Sequence, residues 1–403
     1  MSLSILWISY SHDTQQPEIL EPLPPLTSMY ASWPPNIQYA LCKPKIFVYD
    51  IPIKLQSQSY YKHVICTGSN YNSEVVLYEK LLKPGKIRDL YVTEDAEKAD
   101  FFLIPFFGSC YLMNCWDNNN WNWTKRCNVD DNYAIPLMNH IIQDFPYWNR
   151  TNGKNHIMIH PMDHASLYYN TARHLMLNST FLTTVGDKRP CCQYNHVDKR
   201  VSDIVVPSIT RILNVANINP GDYLNSDGNP YSRNIFAAFR GCCKSTKPDD
   251  VYSLGIRSLL FNGLAKLPRY DIDEENGHTH EEYARLLSRT KYGLTPQGWT
   301  LDTTRLWEYL AFGVVPVIIS DGIILPFEND VDWNSFSVFI KRSDAHLIDK
   351  ILLSIPEDEY QRKRKRVWEV GSKILVHKYS WHYIARELCR KMEKAELTKI
   401  DLD

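Results

Sequence analysis

The sequence predicts two consecutive α/β domains, each built on a mainly parallel, doubly wound sheet. Three observations carry that prediction: short apolar runs alternate with helix-period segments, a turn-rich stretch at 217–232 interrupts the alternation, and the alternation then restarts. With 403 residues, 44% of them hydrophobic and 12% aromatic, the chain can bury two cores. Forty-five Lys and Arg stand against 46 Asp and Glu, a net charge of -1. That balance excludes the strong global field of a nucleic-acid or anionic-lipid binder and favours a small-molecule or sugar partner.

Residues 1–44 read as an arm. The apolar run at 3–8 meets Ser11, His12 and Asp13 directly, and Pro17, Pro22, Pro24, Pro25, Pro34 and Pro35 exclude a helix or a central strand. No stretch reaches the ~20 apolar residues of a membrane span, so the chain as given reads as soluble. The first domain is expected at 45–225. Its elements are a strand at 45–50 stopped by Pro52, a helix at 74–82 ended by Pro84-Gly85, apolar runs at 101–107, 156–160, 181–185 and 203–206, and a helical pattern at 133–144. The second is expected at 226–375, with strands at 235–239, 292–295 and 314–320 and helical patterns at 251–260, 280–288 and 303–312. From Ser343 onward the pattern is helical, and segment 376–403 is expected to pack back on the first domain.

Ten cysteines lie far below disulfide-scaffold density, and the adjacent pairs Cys191-Cys192 and Cys242-Cys243 are of a kind that rarely bridge internally. The redox compartment stays open on this reading. Three sequons, at Asn122, Asn149 and Asn178, would accept glycans in a secretory lumen, although such triplets also arise by chance.

The richest chemical pattern runs from Tyr292 to Asp321 as strand, glycine turn, helix and strand. Gly298 is expected to permit a close turn before a helix N-terminus, where free N–H groups and the positive dipole end favour a phosphate. Arg305 and Glu308, three residues apart, share a helix face. The guanidinium can take a diphosphate in bidentate fashion while the carboxylate accepts from vicinal ribose hydroxyls. The bland alternative is a surface Arg–Glu pair worth about 0.2–0.5 kcal/mol.

Gly298, Thr304-Arg305, Glu308, Gly313-Val-Val-Pro-Val-Ile-Ile-Ser-Asp321, Leu325-Pro-Phe327 and Asp332-Trp333 together resemble the exostosin family of glycosyltransferases, glycosyltransferase family 47. Segments 45–50, 99–105, 156–164, 183–186, 203–207 and 239–241 match that family's N-terminal pattern in order, so the resemblance spans about 45 to 381. It implies the GT-B architecture, two Rossmann-like domains facing across a cleft with C-terminal helices crossing back. It also implies an inverting enzyme that takes a UDP-sugar donor, needs no cofactor or obligatory metal, and glycosylates an oligosaccharide, polysaccharide or glycoprotein glycan.

Two departures limit the transfer. Most members carry an N-terminal membrane anchor and this chain shows none, which leaves the cytoplasm and, with an anchor removed, the Golgi lumen both open. Segment 109–133, with Cys110, Cys115, Cys127, Trp116, Trp121 and Trp123, has no counterpart in the half expected to hold the acceptor. Donor sugar and acceptor stay unassigned.

Residues 156–164 read as a strand delivering Asp163 and His164 just past its end, where either can act as general base toward an acceptor hydroxyl; Asp50 is next in line. His164 has the alternative role of capping the turn. A metal site of His156, His160 and His164 fails because i,i+4 spacing needs a helix that Pro161 would break. Arg240, after the strand at 235–239, can offset leaving-group charge or serve a structural salt bridge. Asp271-Ile-Asp273 and Asp330-Val-Asp332 mimic a DxD metal motif and read as incidental. The basic run 362–366 reads as a solvated helix face. An inactive glycan-binding or scaffold protein of the same fold is the competing function, and the intact Gly298, Arg305 and Glu308 argue against it.

Overall fold

The computed structural model describes residues 42–52, 55, 66, 71–122, 125, 127–163, 168–189, 203–214, 216–224, 233–245, 247, 252–275, 277–374 and 379–400. The expected arm at 1–44 therefore lies almost wholly outside the described residues, as do His164, Cys191-Cys192 and the second half of the turn-rich stretch.

The first sheet holds β1 (Ile46–Val48), β2 (Phe101–Leu103), β3 (His156–His160), β4 (Thr180–Thr183) and β6 (Ile204–Val205), all parallel, in the order β1-β2-β3-β4-β6; the short β5 (Gly186–Asp187) stands apart. Its helices are α1 (Ser73–Leu82), α2 (Lys86–Tyr91), α3 (Gly108–Asn118), α4 (Ile135–Asp144), α5 (Tyr147–Thr151), α6 (Ala172–Met176) and α7 (Arg211–Asn214). Strand alternation sends Leu103, Ile157, Ile159 and Leu182 to one face against Leu77 and Leu81 of α1. Phe102, Met158 and Phe181 go to the other, against Leu137, Met138 and Ile141 of α4. A sheet apolar on both faces must be covered on both, which makes this half a three-layer Rossmann-like unit. The expected strand at 101–107 stops at Leu103 because Pro105 has no N–H to extend the ladder.

The second sheet holds β7 (Ile235–Arg240), β8 (Tyr270–Asp273), β9 (Thr290–Pro296), β10 (Val315–Ile319) and β12 (Val338–Phe339), again parallel, in the order β12-β10-β9-β7-β8. The order reverses between β7 and β9, the doubly wound switch. Around it lie α8 (Ile256–Asn262), α9 (His280–Ser288), α10 (Arg305–Ala311), α11 (Ile348–Leu353) and α12 (Glu357–Ile374). Thr279 opens α9 with a capping box closed by Glu282.

Two devices join the halves. β11 (Ile323–Ile324) pairs antiparallel with β5, and a Cβ at Gly186 would fall 2.6 Å from Cβ of Ile324, so the ribbon closes only around glycine. The last helix, α13 (Ser380–Ile400), crosses back as expected. Toward the first sheet, Trp381 Nε1 donates to Leu77 O at 2.8 Å, Lys391 bonds Thr180, and Cys42 is bridged to Cys389. Toward the second, Arg386 and Arg390 lie 2.6 and 2.5 Å from Asp330, and Tyr383 stacks on Phe327.

Further disulfides join Cys66 to Cys110 and Cys115 to Cys127, stapling the segment that lacks a family counterpart. Cys242 and Cys243 are also bridged, against the expectation for neighbours. Cys243 takes φ 116°, a positive value that residues other than glycine seldom adopt. His156 and His160 are core residues. His156 Nε2 meets Tyr49 Oη at 2.8 Å and its pKa is lowered to about 3 by burial, while His160 lies among Phe106, Tyr169 and Phe181.

Candidate active site

A cavity of about 460 Å3 opens between the two sheets. Pro161, Thr184 and Ser208, which follow β3, β4 and β6, form one wall; Arg240, Glu275 and Gly298, at or after the ends of β7, β8 and β9, belong to the other. Both sheets thus present their C-terminal edges to it, where open α/β folds bind ligands.

The second-domain wall is cationic. Arg305 opens α10, its Nε donating to Arg240 O and its Nη2 standing 3.0 Å from Glu275 Oε2. One turn on, Glu308 is buried and accepts from Tyr283 Oη at 2.9 Å. Arg257, on α8, is only 3% exposed. Its Nε donates to Gln297 O at 3.3 Å and its Nη1 to Cys242 O at 3.0 Å, and it faces the Tyr252 ring at 4.8 Å. Both guanidiniums lie over Phe239, at 5.4 Å for Arg257 and 5.2 Å for Arg305. Burial, with the Arg305 charge adding to it, lowers the Arg257 pKa to about 10. Among the described residues no carboxylate makes an ion pair with Arg257. Arg257, buried on backbone carbonyls, and Arg305, half-buried between a carbonyl and Glu275, are like charges side by side, an arrangement that an incoming dianion would relieve.

Glycine shapes this wall. A Cβ at Gly241 would stand 2.8 Å from Arg305 Nη2, and one at Gly298 3.2 Å from Arg257 Nη2. Gly298 does not abut the helix as expected, because α10 starts at Arg305 and residues 299–304 run irregularly in between. It admits the Arg257 head instead. Arg240 lines the cavity while bonding Asp271 through Nη2 at 2.5 Å, so its structural role is filled. Asp273 stands 3.6 Å from Lys244, Asp330 is taken by two arginines, and Asp332 caps the turn at Asn334 N.

Across the cleft, Asp163 lines the cavity and accepts from Tyr71 Oη at 3.1 Å. Asp50 is exposed and absent from the lining. A carboxylate not singled out from the sequence completes the site. Asp302 Oδ2 accepts from Ser208 Oγ at 2.7 Å, a bond between the domains. Burial pushes its carboxyl up to about 7 against the Ser208 bond, with the Asp163 charge reinforcing the rise. Trp299, 54% exposed at the cavity, meets Tyr252 edge-on with centroids 5.1 Å apart. Asp302 and Trp299 lie inside the 292–321 pattern already read as chemical. Arg257 had a fainter signal, a lone cation on an apolar helix face between Ile256 and Leu260.

The chain matches the exostosin GT47 domain over residues 41–355. Its relatives include a probable glucuronosyltransferase, GUT1, of Oryza sativa subsp. japonica, 28% identical over 343 residues that cover 82% of this chain and 75% of the relative. They also include a probable beta-1,4-xylosyltransferase, IRX10L, of Arabidopsis thaliana, 28% identical over 332 residues, 80% of this chain and 73% of the relative. Among solved structures, Anabaena Alr3699/HepE in complex with UDP and glucose is similar with a TM-score of 0.40 at 9% identity, over 87% of this chain and 100% of that one. The family match spans most of the chain and both walls of the cleft, so this protein belongs to the exostosin GT47 family of glycosyltransferases.

Proposed function

We propose that the chain is an inverting enzyme that moves a sugar from a UDP-sugar to a hydroxyl of a glycan acceptor, with no obligatory metal. The observation that carries this reading is the pair Arg257 and Arg305, one buried and one half-buried cation converging on one cavity. Their charge neutralises a diphosphate as a divalent metal does elsewhere. Glu308, one turn into α10, suits the ribose hydroxyls.

In the reaction the acceptor oxygen attacks the anomeric carbon from the face opposite UDP. The new C–O bond forms as the bond to the β-phosphate breaks, and the charge left on UDP falls on the two guanidiniums. Asp163, on the first-domain wall, takes the acceptor proton. Burial raises the Asp302 carboxyl to about 7, so near neutrality it is ionised only in part and the two carboxyls need not both carry charge in one cavity.

The relatives' names make UDP-glucuronate and UDP-xylose the first donors to test. Purified protein is offered each UDP-sugar with and without EDTA, and released UDP is measured, followed by the anomeric configuration of the product. The expected result is release from one donor, undiminished by EDTA, with inversion. UDP binding without release from any donor would favour a glycan-binding protein of the same fold. A strict Mn2+ requirement would favour the metal reading around Asp271 and Asp273.

A further inference from the structure

We propose that Asn149 and Asn178 are N-glycan acceptors. The sequons Asn149-Arg-Thr and Asn178-Ser-Thr gain weight from where the fold puts them. Both asparagines are exposed. Asn149 lies in α5, which leads into β3, and Asn178 lies between α6 and β4. Both therefore stand at the N-terminal edge of the first sheet, whereas the cavity is built at the C-terminal edges, after His160 and Thr183. A strand of four or five residues spans roughly 13–17 Å, so a glycan at either position projects away from the cleft and leaves it open.

The cysteines supply an independent observation. All eight described cysteines are bridged, one pair joining Cys42 near the start of the described chain to Cys389 in the last helix, and another buried between Cys66 and Cys110. Such a set forms and persists where N-glycosylation occurs, in the secretory lumen, and not against cytosolic thiol pools.

The folded structure also sets the timing. Thr180 is fully buried and bonded by Lys391, and Thr151 Oγ1 donates to Asn155 Oδ1 at 2.6 Å, so neither sequon hydroxyl is available after folding. Modification must precede folding. In that step the asparagine Nδ2 bonds to the anomeric carbon of a lipid-diphosphate-linked oligosaccharide. The lipid diphosphate leaves with the bonding electrons, and the amide releases one proton. Asn149 Nδ2 donates to Ile142 O at 3.1 Å, and the hydrogen left on a substituted amide can keep that bond.

The test directs the full chain into the secretory pathway of a eukaryotic cell behind a cleavable leader. The secreted protein is treated with an amidase that converts each occupied asparagine to aspartate, and peptides covering both positions are read by mass spectrometry. Aspartate is expected at 149 and 178, with one mass step lost in Asn149→Gln, one in Asn178→Gln, and none in Thr180→Ser, which keeps both sequon and hydroxyl. Recovery of either asparagine unmodified from secreted, cooperatively melting protein overturns the assignment at that position.

Discussion

The two walls of the cleft are built on opposite plans. The second-domain wall draws its chemistry from buried and half-buried side chains locked by their neighbours: Arg257 on two carbonyls, Arg305 on a carbonyl and Glu275, Glu308 on Tyr283. The first-domain wall offers short polar residues from loops, with Asp163 on Tyr71 and Ser208 reaching across to Asp302. A diphosphate is the same in every donor and rewards rigid, pre-paid orientation of charge, whereas an acceptor differs between enzymes and is served by loops. On the proposed reading one wall binds and the other reacts, and the following experiments separate those tasks.

The largest effect is expected on the reacting wall. Asp163→Asn should lower turnover about 10²- to 10⁴-fold, measured as steady-state transfer, while leaving UDP affinity near wild type. Equal loss of both would merge the walls into one binding site. Next comes the strap that holds the walls in register. Asp330→Asn leaves Arg386 and Arg390 partly buried without their carboxylate and should cost about 3 kcal/mol of stability by denaturant unfolding, since broken buried pairs are that expensive. Glu308→Gln should weaken UDP by about 1.5 kcal/mol in equilibrium titration, the scale of one charge-assisted hydrogen bond.

The last effect is a slope. Asp302 is raised from the carboxylate range to about 7, so the folded chain holds this proton more tightly than the unfolded chain does. Stability contributed by the protonated form is present below the unfolded pKa and is lost as pH rises toward 7. Asp302→Asn cannot ionise, so it should gain stability relative to wild type between pH 4 and 8. A constant difference across that range would show that Asp302 is ionised throughout, and the division of charge between the two carboxyls would fail.

Legibility in the sequence follows the same divide. The second-domain wall is compressed into one pattern around Gly298, Arg305 and Glu308, where strand and helix periods are plain and the polar residues are neighbours. Most strands of both sheets are readable too, because parallel strands buried on two faces appear as continuous apolar runs such as 156–160 and 314–320, whereas β8, whose sequence Tyr-Asp-Ile-Asp carries two aspartates at the sheet edge, is not. The bond between Ser208 and Asp302 joins residues 94 positions apart, and nothing local announces it. Arg257 sits in an apolar helix segment where a cation reads as noise until its carbonyl partners are in place. β5 and β11 are two residues each, too short for any alternation to register, and their pairing rests on the room left at Gly186. The vicinal bridge at Cys242 is accompanied by one positive φ that cysteine rarely adopts.

The central claim is that Arg257 and Arg305 on the second-domain wall, and not the first-domain loops, hold the nucleotide. Calorimetric titration of UDP into wild type, Arg257→Ala, Arg305→Ala and Asp163→Asn tests it most directly. Each arginine variant should lose about 1.5–3 kcal/mol of UDP binding, as for a charge-assisted contact, with Asp163→Asn unchanged. Wild-type affinity in both arginine variants, or a loss confined to Asp163→Asn, would contradict the account and move the nucleotide to the opposite wall.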